Sequence, residues 1–181
     1  MIERLALADV FVINGSLHAD ARGSFSETYR ASVLAEAGVE QPFVQENLVR
    51  TKARGTLRGL HFQRDPFAQD KLVQVLDGAI FDVAVDIRPS SPTLGRWVGL
   101  TLTADEPRQI FVPRGFAHGY VTLSDDCAVT YKTTAYYAPQ AEAGIRWDDA
   151  AVAIDWPLPA GEISANARDL AWPPFAAAIG P

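Results

Sequence analysis

The chain predicts an all-β protein, a sandwich or barrel, and three observations carry that prediction. Short alternating or β-branched runs recur along its length, turn signals separate them at roughly 8–12 residues, and one stretch alone has helical character. Of the 181 residues 48% are hydrophobic and 21% charged, ordinary globular proportions. A length within the usual ~100–200 residues per domain predicts one unit over residues 1–181.

In order, Leu7–Ile13 reads as a strand closed by the Asn14-Gly15 turn signal. Asp20–Tyr29 starts as a loop and then alternates, Phe25 and Glu27 on one face against Ser26 and Thr28 on the other. Ser32–Ala37 is the short helix, with Ser32 as its cap and Gly38 as its stop. Phe43–Asn47 is extended, and Gly55–Gln63 (GTLRGLHFQ) is a strand-like run carrying an arginine, a histidine and two glycines. Leu72–Leu76 runs into Asp77-Gly78, a hairpin signal. Ile80–Ile87 alternates Phe81, Val83, Val85 and Ile87 against Asp82, Ala84 and Asp86. Trp97–Thr103 and Ile110–Val112 flank a turn at Ala104–Pro107, and Phe116–Leu123 and Ala128–Thr134 are expected to pair across Ser124–Asp126. From Ala138 onward, prolines and short apolar pieces predict a tail wrapping the barrel on Trp147, Trp156 and Trp172.

A net charge of −6 argues against nucleic acid as a partner. Residues 50–71 nevertheless hold Arg50, Lys52, Arg54, Arg58, Arg64 and Lys71 against Asp65 and Asp70, a local excess of four positive charges. Such an excess suits a small phosphorylated ligand. Arg50, Lys52 and Arg54, two apart, equally fit the solvated face of a strand. The lone Cys127 has no disulfide partner within the chain. No signal-peptide pattern opens the chain, and no apolar run approaches the ~18 residues of a membrane helix. A cytoplasmic protein without a membrane partner is expected.

The histidines are His18, His61 and His118. PRGFAHG (Pro113–Gly119) and GTLRGLHFQ resemble the two blocks of a cupin jelly roll. A metal cupin carries a second histidine two residues after the first and a glutamate a few further on; here Gln63 stands in that place with no glutamate near. Two histidines fall short of the usual three protein ligands of a catalytic zinc or iron, so no metal and no other cofactor is expected. Acid/base chemistry remains. His61 can accept a proton at neutral pH, Tyr131 can give one, and Lys71 can stabilise an enolate oxygen. A strand histidine or tyrosine can also be ordinary packing, and composition and spacing alone leave that open.

The series VQEN, LRGLHFQ, KLVQVLDGAIFDVAVDIR, SPTLGRW, PRGFAHGY, YKTT, IRWDD, DWP and ISANARD, in order from Ala21 to Pro173, closely resembles the dTDP-4-dehydrorhamnose 3,5-epimerase family of the rhamnose pathway. The resemblance implies a cupin-type jelly roll and a homodimer exchanging N-terminal strands. It also implies metal-free epimerisation of a dTDP-4-keto-6-deoxy sugar. It makes His61 the base at C3 and C5, Lys71 the enolate stabiliser, Tyr131 the acid on the opposite face, and Asp169 the partner of His61. It places Arg22, Glu27, Gln45, Glu46, Asn47, Arg58, His118, Glu142 and Arg168 around the substrate, with Tyr137 or the adjacent Tyr136 stacking on thymine. Leu48-Val49 depart from the His-Ser often found there, ISANARD is longer than the common form, and Arg168 replaces a lysine. A relative inverting only C3 or C5, a metal-dependent cupin and a non-catalytic sugar-nucleotide-binding module are the alternatives.

Regular strand geometry sets one difficulty. Arg58 and His61 have opposite parity and would point to opposite faces. A break at Gly59, such as a bulge, is predicted if both line one cavity.

Overall fold

The computed structural model describes residues 1–180 and contains two antiparallel sheets packed face to face. The chain enters through β1 (Ile2–Arg4) and β2 (Phe11–Asn14), then a separate hairpin of β3 (Leu17–Asp20) and β4 (Gly23–Ser26), then helix α1 (Ala31–Glu36). The longer strands follow: β5 (Gln45–Thr51), β6 (Leu57–Gln63), β7 (Lys71–Asp77) and β8 (Ala79–Asp86), then β9 (Trp97–Thr103), β10 (Arg108–Val112), β11 (Phe116–Thr122) and β12 (Cys127–Thr133). The tail adds β13 (Glu142–Gly144) and the single-turn helices α2 (Ala167–Leu170) and α3 (Phe175–Ala178). One sheet runs β1-β2-β10-β7-β12-β5 and the other β13-β6-β11-β8-β9. This is the sandwich that the strand pattern predicts, in the jelly-roll form that the resemblance implies.

Both expected hairpins prove to be corners. β7 and β8 lie in different sheets, as do β11 and β12. β11 pairs with β6 and β8, and β12 with β5 and β7. Alternation says which face of a strand is apolar but not which neighbour it meets. A glycine with positive φ, as at Gly78 (+74°), serves a corner as well as a hairpin. Smaller corrections concern the N-terminal third. Arg30 caps α1 without a side-chain bond, so Ser32 lies inside its first turn. Residues 7–10 form a tight turn, in which the Val10 N–H donates to the Leu7 carbonyl at 2.8 Å, and only from Phe11 is the chain extended.

Between the sheets Val73, Val75, Ile110 and Val129 meet Ile80, Val98, Leu102 and Phe116. The outer face of the second sheet is buried as well: Leu60, Val83 and Val85 pack against Ile145, Val152, Trp156 and Phe175 of the tail. Each such side chain contributes about 1.5–3 kcal/mol when fully buried, which ties the tail to the sheet. Backbone bonds set the tail's register. The Leu57 N–H donates to the Ser164 carbonyl (2.7 Å) and the Ser164 N–H to the Gly55 carbonyl (2.8 Å). A Cβ at Gly55 would stand 2.2 Å from the Glu162 carbonyl oxygen, so only glycine permits this approach. The result is that residues 163–169 lie alongside β6.

Candidate active site

The break at Gly59 is present. β6 pairs with β11 as His61 opposite His118 and Arg58 opposite Tyr120, so three steps on β6 match two on β11. That extra residue is a bulge, and it turns Arg58 and His61 to the same side. Gly59 has φ +140°, and a Cβ there would meet the Gly119 Cα at 2.6 Å. The bulge also frees the Gly59 N–H, which donates to Oδ2 of Asp169 at 3.2 Å.

The other carboxylate oxygen, Oδ1, lies 2.8 Å from Nε2 of His61. Asp169 is positioned by α2, where its N–H donates to the side chain of the capping residue Asn166 at 2.8 Å. Burial pushes the Asp169 carboxyl up, but the hydrogen bonds and charge of His61 and the Gly59 N–H outweigh it, and the net shift is downward. An ionised Asp169 must accept, so Nε2 of His61 carries the hydrogen and Nδ1 keeps the lone pair.

His61 opens into a cavity of about 370 Å³ between the sheets. Tyr131 lines it from β12, on the sheet facing β6. Burial raises the Tyr131 phenol, with the charge of Arg58 opposing, so it keeps its proton at neutral pH. Lys71 enters at the start of β7, its Nζ 3.5 Å from the His61 carbonyl oxygen. Burial pulls the ammonium down to about 8, against the attraction of Asp82 and Glu142. Arg58 donates through Nε to the Thr51 hydroxyl at 3.2 Å and makes no ion pair among the described residues. An imidazole backed by a carboxylate, a protonated phenol on the opposite wall and two cations without a direct carboxylate partner therefore face one space.

Of the other expected residues, Gln45, Asn47, His118, Tyr137, Glu142 and Arg168 also line the cavity. Tyr137 donates its hydroxyl to Glu142 at 3.0 Å, and Arg168 donates to the same oxygen at 3.1 Å. Tyr136 does not reach the cavity and is 69% exposed. Glu46 requires correction. It alternates with Gln45 and Asn47 on β5 and so faces outward, where it pairs with Lys132 and accepts from the Thr130 hydroxyl. Arg22 and Glu27 stand outside their own chain's cavity, paired with Asp20 and Arg30 near the exposed hairpin. The positive excess is corrected too. Only Arg58 and Lys71 of those six cations reach the cavity, while Arg50, Lys52 and Arg54 are exposed.

Two features at the cavity wall or just behind it escape the sequence. Asp82, fully buried, receives Nε2 of His118 at 2.9 and 3.0 Å. Its place on the polar face of β8 reads as solvent-facing, because alternation does not separate a buried polar face from a solvated one. Gln63, seen from sequence only where a metal ligand would stand, is buried and bonded to two loops. Among the described residues no three His, Cys, Asp or Glu side chains converge as a metal site would require.

Residues 4–177 match the family model described as dTDP-4-dehydrorhamnose 3,5-epimerase. The Escherichia coli (strain K12) dTDP-4-dehydrorhamnose 3,5-epimerase is 47% identical over 161 residues, 88% of this chain and 86% of that protein. A Legionella pneumophila dTDP-6-deoxy-D-glucose-3,5-epimerase, solved with dTDP-4-keto-L-rhamnose, superposes with a TM-score of 0.92 at 41% identity, covering 97% of this chain and 92% of that one. A Bacillus anthracis dTDP-4-dehydrorhamnose 3,5-epimerase with TDP and PPi bound gives 0.91 at 41% identity, covering 96% and 98%.

Proposed function

The chain belongs to the dTDP-4-dehydrorhamnose 3,5-epimerase family, and we propose that its cavity inverts C3 and C5 of dTDP-4-dehydro-6-deoxy-D-glucose to give dTDP-4-dehydro-L-rhamnose. The single observation that supports this reading best is the Asp169–His61 pair on one wall with a protonated Tyr131 on the other.

The C4 ketone acidifies the hydrogens on C3 and C5. Nδ1 of His61 takes one of them, and the bonding pair moves into an enolate with its charge on the C4 oxygen. Lys71 donates to that oxygen; a preorganised donor of this kind is worth roughly 3 kcal/mol. Tyr131 then gives its phenolic proton to the same carbon from the opposite face, and the configuration inverts. His61 is left protonated and Tyr131 ionised, so both exchange with solvent before the second inversion. Positioned acid/base groups typically contribute about 10²–10⁴-fold each. No step calls for a change of oxidation state. Arg58 and Arg168 hold the diphosphate, and Tyr137 stacks on the base.

We assign Arg22 and Glu27 to a neighbouring subunit's cavity, in a homodimer that exchanges its N-terminal strands. The motivation is the β3–β4 hairpin, whose Leu17 and Phe25 are 50% and 69% exposed. Mixing His61→Ala with Arg22→Ala protein should restore activity, since some dimers then own one intact site; no gain on mixing contradicts shared sites. A cytoplasmic setting fits the buried free thiol of Cys127. Among the described residues no helix is long and apolar enough to cross a membrane.

The test is NMR in deuterated water with the 4-keto-6-deoxyglucose nucleotide. Deuterium at both C3 and C5 is the expected result. Incorporation at one carbon marks a mono-epimerase, and none at either removes the catalytic reading.

A further inference from the structure

Tyr137 sits in a short loop, residues 135–138, that belongs to neither sheet, and its ring is nonetheless placed at the cavity mouth. The main chain of that loop is held by side chains. Gln69 donates to the Ala135 carbonyl (2.7 Å), which also accepts from the Thr133 hydroxyl (2.9 Å). Gln45 accepts the Tyr137 N–H (3.0 Å). Gln63 does most: its Nε2 donates to the carbonyls of Tyr136 (3.2 Å) and Phe67 (2.7 Å), and its Oε1 accepts the Ala138 N–H (2.7 Å).

We propose that Gln63 is a positioning residue for nucleobase recognition: with Gln45 and Gln69 it clasps residues 135–138 so that Tyr137, and not Tyr136, presents its ring to the base. The proposal rests on the reading of Tyr137 as the stacking aromatic. Only a carboxamide suits the task, because one planar head must donate and accept at once. A glutamate would turn an acceptor toward two carbonyls, and an imidazole could not span both loops. Neighbouring residues of an extended segment point to opposite sides, so the register of the clasp decides which tyrosine faces inward. The ring is fixed at its far end too, by the Tyr137 hydroxyl bond to Glu142, and Glu142 pairs with Gln63 across β13 and β6. With both ends held, Tyr137 is 49% exposed at the cavity, its main chain and hydroxyl already bonded before a base arrives. Preorganisation of this kind lowers the entropy lost on binding.

The experiment compares Gln63→Met, Tyr137→Ala and the double variant. Calorimetry measures dTDP and inorganic diphosphate binding, and steady-state kinetics measure the epimerisation. Gln63→Met should weaken dTDP binding by roughly tenfold, the scale of one base–aromatic stack, and leave diphosphate affinity unchanged. The loss should appear in KM, with kcat within about twofold. The double variant should bind dTDP no more weakly than Tyr137→Ala alone. Equal weakening of dTDP and diphosphate, or full additivity with Tyr137→Ala, overturns the clasp. If Tyr137→Ala spares dTDP binding, the stacking reading falls and the clasp with it; if it weakens dTDP and Gln63→Met does not, the clasp alone falls. Should Gln63→Met fail to fold, Gln69→Leu removes one arm of the clasp. It should show the same selective loss at about threefold, and unchanged dTDP affinity there counts against the proposal.

Discussion

Two histidines of the cavity wall are paired with aspartates in nearly equal geometry but in different surroundings. His61 Nε2 lies 2.8 Å from Asp169, and His118 Nε2 lies 2.9 Å from Asp82. The His61 side chain is 24% exposed and the His118 side chain 8%, while the aspartates are 1% and 0% exposed. The first carboxylate comes from the tail, on a one-turn helix, and the second from the adjacent strand of the same sheet. The same two residue types therefore serve different ends. A carboxylate behind an open imidazole makes a base that can reach a substrate and be reset by solvent. A carboxylate beside an enclosed imidazole fixes the orientation of that ring in the cavity wall.

That contrast can be broken in several ways, of decreasing size. Tyr131→Phe removes the acid and keeps the ring; kcat should fall by about 10²–10⁴-fold with dTDP affinity unchanged. An unaffected kcat would leave His61 without a partner on the opposite wall. Asp169→Asn should lower kcat by about 10²-fold or more, because the neutral amide no longer selects the Nε2–H tautomer. The matching Asp82→Asn change should cost much less kcat, and equal losses would erase the distinction between the pairs.

Stability should rank the pairs the other way. His118→Ala leaves the Asp82 carboxylate buried without its partner and should cost about 3–5 kcal/mol in denaturant unfolding. His61→Ala leaves Asp169 beside the cavity, still bonded to the Gly59 N–H, and should cost less. Gly59→Ala tests the bulge that serves the open pair. Its Cβ would meet Gly119 at 2.6 Å, so a loss of about 2–4 kcal/mol is expected from thermal or denaturant melts, together with lost activity.

The smallest effect is on pH. Burial pulls the Lys71 ammonium down to about 8, and in the proposed reaction it is the ammonium that donates to the enolate. In the free enzyme kcat/KM should therefore fall as pH rises through about 8. Stability moves oppositely: above that pH the unfolded chain binds the extra proton, so folding gains with pH until the ordinary lysine range is reached. A kcat/KM profile flat to pH 10 would contradict the role given to Lys71.

How much of this was legible in the sequence follows from what each signal encodes. Alternation marked the strands, and the resemblance marked His61, Tyr131, Lys71 and Asp169. The parity conflict between Arg58 and His61 located the bulge at Gly59, since only a departure from regular pairing could resolve it. Long-range pairing was not legible. Asp77-Gly78 and Ser124–Asp126 look like hairpin turns locally, and only the packing of two sheets makes them corners. Asp82 was hidden for a related reason, because a polar strand face looks the same whether it meets water or a buried histidine. Glu46 went astray because a matching motif names neighbours without regard to parity, and β5 turns Gln45 and Asn47 inward while sending Glu46 out. Gln63 stands out in the sequence only by occupying a metal-ligand position, and its three backbone partners come from loops that no periodicity describes.

The central claim is that His61, and not His118, is the base. Its most direct test is deuterium exchange into the bound sugar followed by NMR, with His61→Asn and His118→Asn measured side by side at saturating substrate. Exchange at C3 and C5 should vanish in His61→Asn while dTDP affinity stays near wild type, and should persist, though slower, in His118→Asn. Exchange surviving in His61→Asn and lost in His118→Asn would contradict that claim.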